Sequence, residues 1–410
     1  MNLSGSERAQ LAQTATPTDW PRLALLFLCG VFGSTQIGKL PPSMAELHAQ
    51  FNATMVQLGW IASIFNLLAA TSGLAIGLMA DRIGQRRILK AGLAVLALGA
   101  MLGALSNSLP LLFMSRVIEG LGFLCVVVGA PVLLREASGI GHRHLVLGIW
   151  GSYMGIGMTS MMLLSPYLIA WAGWRSVWWF SAAGAVLLLA ITILTFPGNA
   201  RNAAPGQSGA GVLKGLRVAA PWLVACCFAL YSSEWISMMI WLPTFLRQEL
   251  GMTLVAATPI VAVIILANSP GNWLGGYMAQ RGVHYSHAVV AATSVMGVLG
   301  WCVLSFDFAP IVKFGMCVMF SFAGGIIPGT IFSSVPALAS RHGNLGAING
   351  LVAQGANVGI LFGPPLAAAV VTMSGSWRGL GPAYLLASAL CATLILVAGG
   401  WTSQRGAARG

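Results

Sequence analysis

The chain is short of charge. Of its 410 residues only 7% are Asp, Glu, Lys or Arg, where a soluble domain carries about 25%. So few charges cannot solvate a globular surface, which excludes an ordinary soluble domain. Carboxylates are the scarcest: Asp and Glu number 9 against 21 Lys and Arg, for a net charge of +12. The histidines (His48, His142, His144, His284, His287 and His342) fall in loops or at the ends of apolar runs, with no carboxylates grouped around them for acid–base or metal chemistry. No GxxxxGK[ST] loop occurs, so this chain lacks the phosphate cradle of an ATP-driven pump. Cys29, Cys125, Cys226, Cys227, Cys302, Cys317 and Cys391 all lie in apolar stretches without metal-ligand spacing, and read as small packing residues. No catalytic residue, metal, cofactor or nucleic-acid partner is therefore expected. The positive excess reads as loop charge that orients a membrane protein.

What the chain has is apolar length. Hydrophobic residues make up 57% of it and the mean hydropathy is +0.83. A helix crosses the hydrocarbon core with about 20 mostly apolar residues. Such segments are predicted near 22–42, 55–80, 89–106, 110–134, 145–171 and 176–196, and again near 221–246, 254–279, 286–306, 310–338, 345–372 and 379–401. The expectation is an all-α membrane protein of twelve transmembrane helices in two six-helix, pseudo-symmetric halves. The units expected are a tail at 1–21, a bundle at 22–196, a linker at 197–220, a bundle at 221–402 and a tail at 403–410. The first tail is polar, carries Glu7 and Asp19, and shows no apolar core with a small-residue cleavage site, so no signal peptide is expected. With the first tail in the cytoplasm, about fifteen basic residues fall on that side and about three (Arg175, Arg247 and Arg378) on the other. Both termini are accordingly expected inside, in a bacterial-type inner membrane.

The halves echo each other at a spacing of about two hundred residues. Gly77-Leu-Met-Ala-Asp81-Arg82 after the second span matches Gly276-Tyr-Met-Ala-Gln280-Arg281 after the eighth. The fifth span, with Gly148, Gly157 and Ser165-Pro166, runs into Gly173-Trp174-Arg175. The eleventh, with Gly346, Gly355 and Gly363-Pro364, runs into Ser376-Trp377-Arg378. Parallel repeats of six spans that face each other across a midplane site characterise one class of secondary transporter, in which alternating access is the rocking of one half against the other. The repeat favours a carrier over a channel or a receptor.

The loop Gly77-Leu78-Met79-Ala80-Asp81-Arg82-Ile83-Gly84-Gln85-Arg86-Arg87 resembles the signature between the second and third helices of the major facilitator superfamily. Through topology, repeat and linker the resemblance extends over the whole chain. It implies the major facilitator fold and a conformational latch formed by Gly77, Asp81, Arg82, Gly84 and Arg86. The second copy of the loop has Gln280 in place of Asp81, which implies a weaker latch there. Arg116-Val-Ile-Glu119-Gly120-Leu-Gly122 resembles a second motif of the superfamily, an arginine before a glycine-rich stretch.

Ionisable residues inside a span are costly and mark a pathway, a proton relay or an internal ion pair. Arg116 and Glu119 stand at i,i+3 and share one helix face. Glu119 reads either as a proton carrier tuned by Arg116 or as half of a structural ion pair. Glu234, in Ser-Glu-Trp-Ile, lies near mid-depth of the seventh span with no cation within a turn. It reads as a proton-coupling group or as a direct substrate contact in a hydrated cavity. Lys39 closes the first span ahead of Leu-Pro-Pro. It reads either as a snorkelling lysine or as an anion-attracting charge lining the cavity, with Gln36 about one turn deeper. The resemblance favours the second, because first helices of the superfamily line its cavity. Tyr153 of the fifth span and Asn349, Gln354 and Asn357 of the eleventh complete the substrate-binding candidates.

Trp241-Leu-Pro-Thr-Phe-Leu, Gly324–Ala339 and Gln354–Val371 are similar to segments of the cyanate and nitroimidazole permeases. That resemblance implies a small anionic or weakly acidic solute. The fifth span lacks the full Gly-Pro-Gly-Gly run of drug/proton antiporters, which favours uptake. The expected function is a proton-coupled secondary carrier acting as a monomer, whose partners are a small-molecule solute, protons and membrane lipids. The alternative is a proton-coupled exporter of drugs or metabolites with the same fold.

Overall fold

The computed structural model describes residues 17–72, 76, 83–139, 142, 146, 149–197, 219–342 and 345–407, with backbone alone at 334–342, 345–347, 349 and 400–407. Among these residues twelve helices are long and apolar enough to cross a membrane, and there is no strand. They are α1 (Trp20–Phe51), α2 (Met55–Ser72), α3 (Gln85–Ala104), α4 (Leu109–Ala137), α5 (Tyr153–Ala172) and α6 (Trp174–Thr195), then α7 (Ala219–Leu250), α8 (Leu254–Gln280), α9 (Tyr285–Ser305), α10 (Pro310–Ser333), α11 (Gly350–Ser374) and α12 (Trp377–Gly399). Helices bond their backbone groups internally, which is why an apolar chain takes this form in hydrocarbon.

Polar residues start the helices. Asp19 accepts the backbone N–H of Arg22 at the head of α1. Thr54 and Gln57 form a reciprocal capping box at the head of α2, and the Thr253 hydroxyl accepts the N–H of Ala256 at the head of α8. Gly173, at φ +72°, makes the sharp turn between α5 and α6 that a Cβ would strain.

The first span runs further than the sequence pattern suggests. A turn at Lys39 joins Trp20–Gly38 to a second helical segment, Leu40–Phe51. Pro41 and Pro42 look like a stop, but they sit in the first turn of that segment, where no backbone N–H is needed. Similar breaks occur in α2, which tightens to a 3₁₀ turn at Ile64–Asn66, and in α8, which divides at Ala267 just before Ser269-Pro270-Gly271.

The two halves meet through α2 against α11 and α5 against α8. Gly59 lies against the backbone of Pro364 and Pro365, so close that a Cβ there would come within 2.9 Å of the Pro364 carbonyl. The rings of Trp60 and Phe362 pack edge to face at 5.7 Å. Nearer the face where α1 begins, Gln354 Nε2 donates to the Ala70 carbonyl at 2.7 Å. Each half also ties its Trp-Arg loop to a neighbouring loop. Arg175 donates to the Ser106 carbonyl and Asn107 Oδ1, while Arg378 donates to Asp307.

Candidate functional site

Two polar cores lie inside the bundle, one in each half. The first is built on the break in α1 and one face of α4. Lys39 Nζ donates to Gln36 Oε1 at 2.8 Å and to Glu119 Oε1 at 2.5 Å. Arg116 Nη1 donates to the other carboxylate oxygen of Glu119, and Arg116 Nε to the Ile61 carbonyl of α2 at 3.2 Å. Lys39, Arg116 and Glu119 are each 0% exposed. Lys39 lies over the Trp178 ring at 4.5 Å and Arg116 over Phe65 at 4.7 Å, so aromatic faces supply part of the solvation that water would. Glycines allow the close approach: a Cβ at Gly120 would strike the Phe65 carbonyl, and one at Gly99 would come within 2.7 Å of the Glu119 backbone nitrogen.

This core is formally unbalanced. Two basic side chains share one carboxylate, all three enclosed. Buried donors are also left over. Arg116 Nη2 has no hydrogen-bond acceptor among the described residues, and neither has Trp178 Nε1, whose indole edge packs against Gly103 of α3. Buried polar groups are ordinarily bonded, and each orphan calls for an explanation. Arg116 Nη2 is an unused donor beside a carboxylate that two basic groups already share, so the core suits an acceptor-rich, negatively charged group.

The second core is the converse. Glu234, at the middle of α7, is 4% exposed and meets no cation among the described residues. Ser388 of α12 donates to its two oxygens at 3.1 and 2.9 Å. Two turns from Glu234 along α7 and one turn from Ser388 along α12, the thiols of Cys227 and Cys391 meet at 2.8 Å. Gly297 of α9 backs Ser388 so closely that a Cβ there would fall 2.6 Å from the serine Cβ. A separate amide network spans α7, α8 and α10: Asn268 donates to the Tyr231 hydroxyl and the Ser321 carbonyl, Asn272 to Asn268, and Trp235 to the Ser321 hydroxyl.

The structure thus joins Gln36, Lys39, Arg116 and Glu119, and keeps Glu234 apart from them. It corrects the placing of Lys39. The residue does not close its span or reach a surface; it sits inside a helix that continues to Phe51, fully enclosed. The other candidates lie nearer the face where α1 begins. Tyr153 stacks on Trp150 at 4.5 Å, Gln354 bridges the halves, and Asn357 donates to the Ala353 carbonyl of its own helix. The side chain of Asn349 lies outside the described residues, as do Gly77, Asp81 and Arg82 of the loop before α3. Of that loop, Gly84 precedes α3 at φ +101°, and Arg86 lies over Phe196 of its own half at 5.7 Å. Residues 198–218, within the expected linker, are also outside the description. Sequence reasoning missed Ser388, the partner of Glu234, and Trp178, the ring under Lys39. A lone serine or tryptophan in an apolar helix carries no distinguishing signal.

A family model described as Major Facilitator Superfamily matches residues 26–354. The chain is 21% identical over 382 residues to the protein described as "Putative niacin/nicotinamide transporter NiaP" of Bacillus subtilis, covering 91% of this chain and 94% of that one. In fold it is similar to a bacterial homologue of the human lysosomal transporter Spinster in an inward-facing, occupied conformation, with a TM-score of 0.71, 15% identity and coverage of 95% and 98%. It is likewise similar to the nucleoside transporter NupG, with a TM-score of 0.74, 13% identity and coverage of 92% and 98%.

Proposed function

Since the chain belongs to the major facilitator superfamily, and so is a multi-pass membrane transporter of small molecules and not an enzyme, we propose that its cargo is a small anionic or weakly acidic solute taken up together with protons. The observation that carries this reading is the unbalanced core of the first half. An arriving monoanion supplies a negative charge for Lys39 and Arg116 and an acceptor for Arg116 Nη2. A cation would leave both deficits in place, and a neutral drug would leave the charge unmatched. The resemblance to cyanate and nitroimidazole permeases supports the same class of solute. The relative described as a putative niacin/nicotinamide transporter fits the class in part, niacin being a small ring carboxylic acid and nicotinamide its neutral amide.

In this reading Gln36, Lys39 and Arg116 hold the anionic group. Tyr153, Asn349, Gln354 and Asn357 line the way toward the face where α1 begins. Of the two proton-coupling candidates, Glu234 takes precedence over Glu119. A buried carboxyl whose partner among the described residues is a hydroxyl can gain or lose a proton without breaking an ion pair. Glu119 is engaged by two cations and serves to hold them until the solute arrives. The loop with Gly77, Asp81, Arg82, Gly84 and Arg86 acts as a latch between conformations. The bias of basic residues puts both termini in the cytoplasm of an inner membrane, and the chain works as a monomer surrounded by lipid.

The test is uptake into proteoliposomes with an imposed pH gradient, using labelled nicotinate, benzoate, formate and cyanate. Accumulation of one of these that collapses with the gradient is the expected result. If all four fail while lipophilic cations leave the vesicles in exchange for protons, the exporter with the same fold replaces this reading.

A further inference from the structure

At the face where α1 ends, a cavity of about 400 Å³ opens between the halves. Met44, His48 and Met55 line it from one half; Trp241, Arg247 and Gln248 line it from the other. The offset that carries Trp20 to Ala219 and Phe51 to Leu250 also carries His48 to Arg247. The two basic residues are therefore repeat mates, facing one another from the ends of the first helix of each half.

The polar groups of this cavity are oriented. Gln248 Oε1 is occupied by the indole N–H of Trp377 at 2.9 Å, which turns the amide NH₂ away as a free-ended donor. His48 Nδ1 lies 2.7 Å from the Ala53 carbonyl, and because a carbonyl only accepts, that nitrogen carries the hydrogen. The Trp241 indole N–H is bonded to the Pro364 carbonyl at 2.9 Å, so the tryptophan offers the cavity only its ring. No Asp or Glu is among the lining residues, and Arg247 has no ion-pair partner among the described residues. A guanidinium and an amide donor set over tryptophan and methionine walls fit one anionic group on an apolar body. The volume is in the range of small-molecule sites.

We infer that this cavity is a second anion site, separate from the buried core and taking one small carboxylate with an apolar body. It lies beyond Lys39 along the second segment of α1, outside in the orientation proposed above. It stages the solute before the core opens to it. This rests on the reading of the carrier as an anion transporter, and the test separates the two.

The experiment is equilibrium binding of labelled benzoate to the purified full-length chain in detergent. Two molecules per chain are expected. Arg247→Gln, at an exposed position that folding does not depend on, weakens one of the two sites at least tenfold and leaves the other unchanged. Thr244→Trp, which fills the cavity, removes the same site. Lys39→Gln removes the other. One molecule per chain, insensitive to both Arg247→Gln and Thr244→Trp, overturns the inference, as does no binding at all. Binding lost in Arg247→Gln but untouched by Lys39→Gln upholds the cavity site and removes the buried core from the account.

Discussion

The two halves share a scaffold and differ in chemistry. Capping threonines Thr54 and Thr253 start equivalent helices, and Trp174-Arg175 and Trp377-Arg378 tie equivalent loops. Yet the offset that pairs α1 with α7 sets Lys39 against Met238 and Glu234 against Thr35. The Arg116–Glu119 pair of α4 has no counterpart in α10, whose charged residue Lys313 stands near its start. What is repeated is therefore the packing that lets one half rock on the other, and what has diverged is the charge each half encloses. One half sets two basic side chains on one carboxylate; in the other, Glu234 and the buried Lys313 are not paired with each other. In the proposed carrier that division gives the anion and the proton separate binding groups.

The sharpest way to break the comparison is to remove the shared carboxylate. Glu119→Gln leaves two buried cations without a partner, and breaking such a pair is expected to destabilise the protein by about 3–5 kcal/mol. Lys39→Gln leaves Arg116 and Glu119 balanced and should cost distinctly less. Thermal unfolding of the two variants in detergent checks the order. If Lys39→Gln is as harmful as Glu119→Gln, the positive surplus is not a feature of the folded protein.

In the other half the expected effect is smaller. Ser388→Ala strips Glu234 of its hydrogen-bond donor, which should cost about 1–3 kcal/mol. The same measurement on Ser388→Cys, which keeps a weak donor, should fall between the two. Equal stability of all three proteins would show that Ser388 does not support the carboxyl.

The smallest effect is expected where the halves are alike. Arg378 and Asp307 are 61% and 80% exposed, and a pair in such contact with solvent contributes about 0–1 kcal/mol. Arg378→Ala should therefore shift the unfolding midpoint little, and Arg175→Ala similarly little. A large shift in one alone would mean that the repeated loops do not play equivalent parts.

How much of this was legible in the sequence follows from the range of each interaction. The spans, the repeat and the charge bias are local or statistical, and among the described residues twelve membrane-length helices lie close to the expected places. Arg116 and Glu119 are one turn apart, so their pairing could be read from spacing. Lys39 could not be placed, because Pro41-Pro42 reads as a stop unless the helix is known to restart there. Its bond to Glu119 joins residues far apart in the chain, as do those of Ser388 to Glu234 and Gln354 to Ala70. Such partners are chosen by packing, which no local pattern records. The amides Gln354 and Asn357 stand out as polar in an apolar span, but their partners do not: one bridges the halves and the other bonds its own helix.

The central claim is that one half holds the anion and the other carries the proton. It is tested most directly in Glu234→Gln, which keeps a hydrogen-bonding side chain of the same shape but cannot exchange a proton. Proteoliposomes bearing this variant would be assayed twice with the same labelled solute, once for exchange against internal solute without a gradient and once for accumulation driven by a pH gradient. The account predicts that exchange persists and accumulation is lost, while Lys39→Gln loses both. Gradient-driven accumulation at wild-type rates in Glu234→Gln would contradict it.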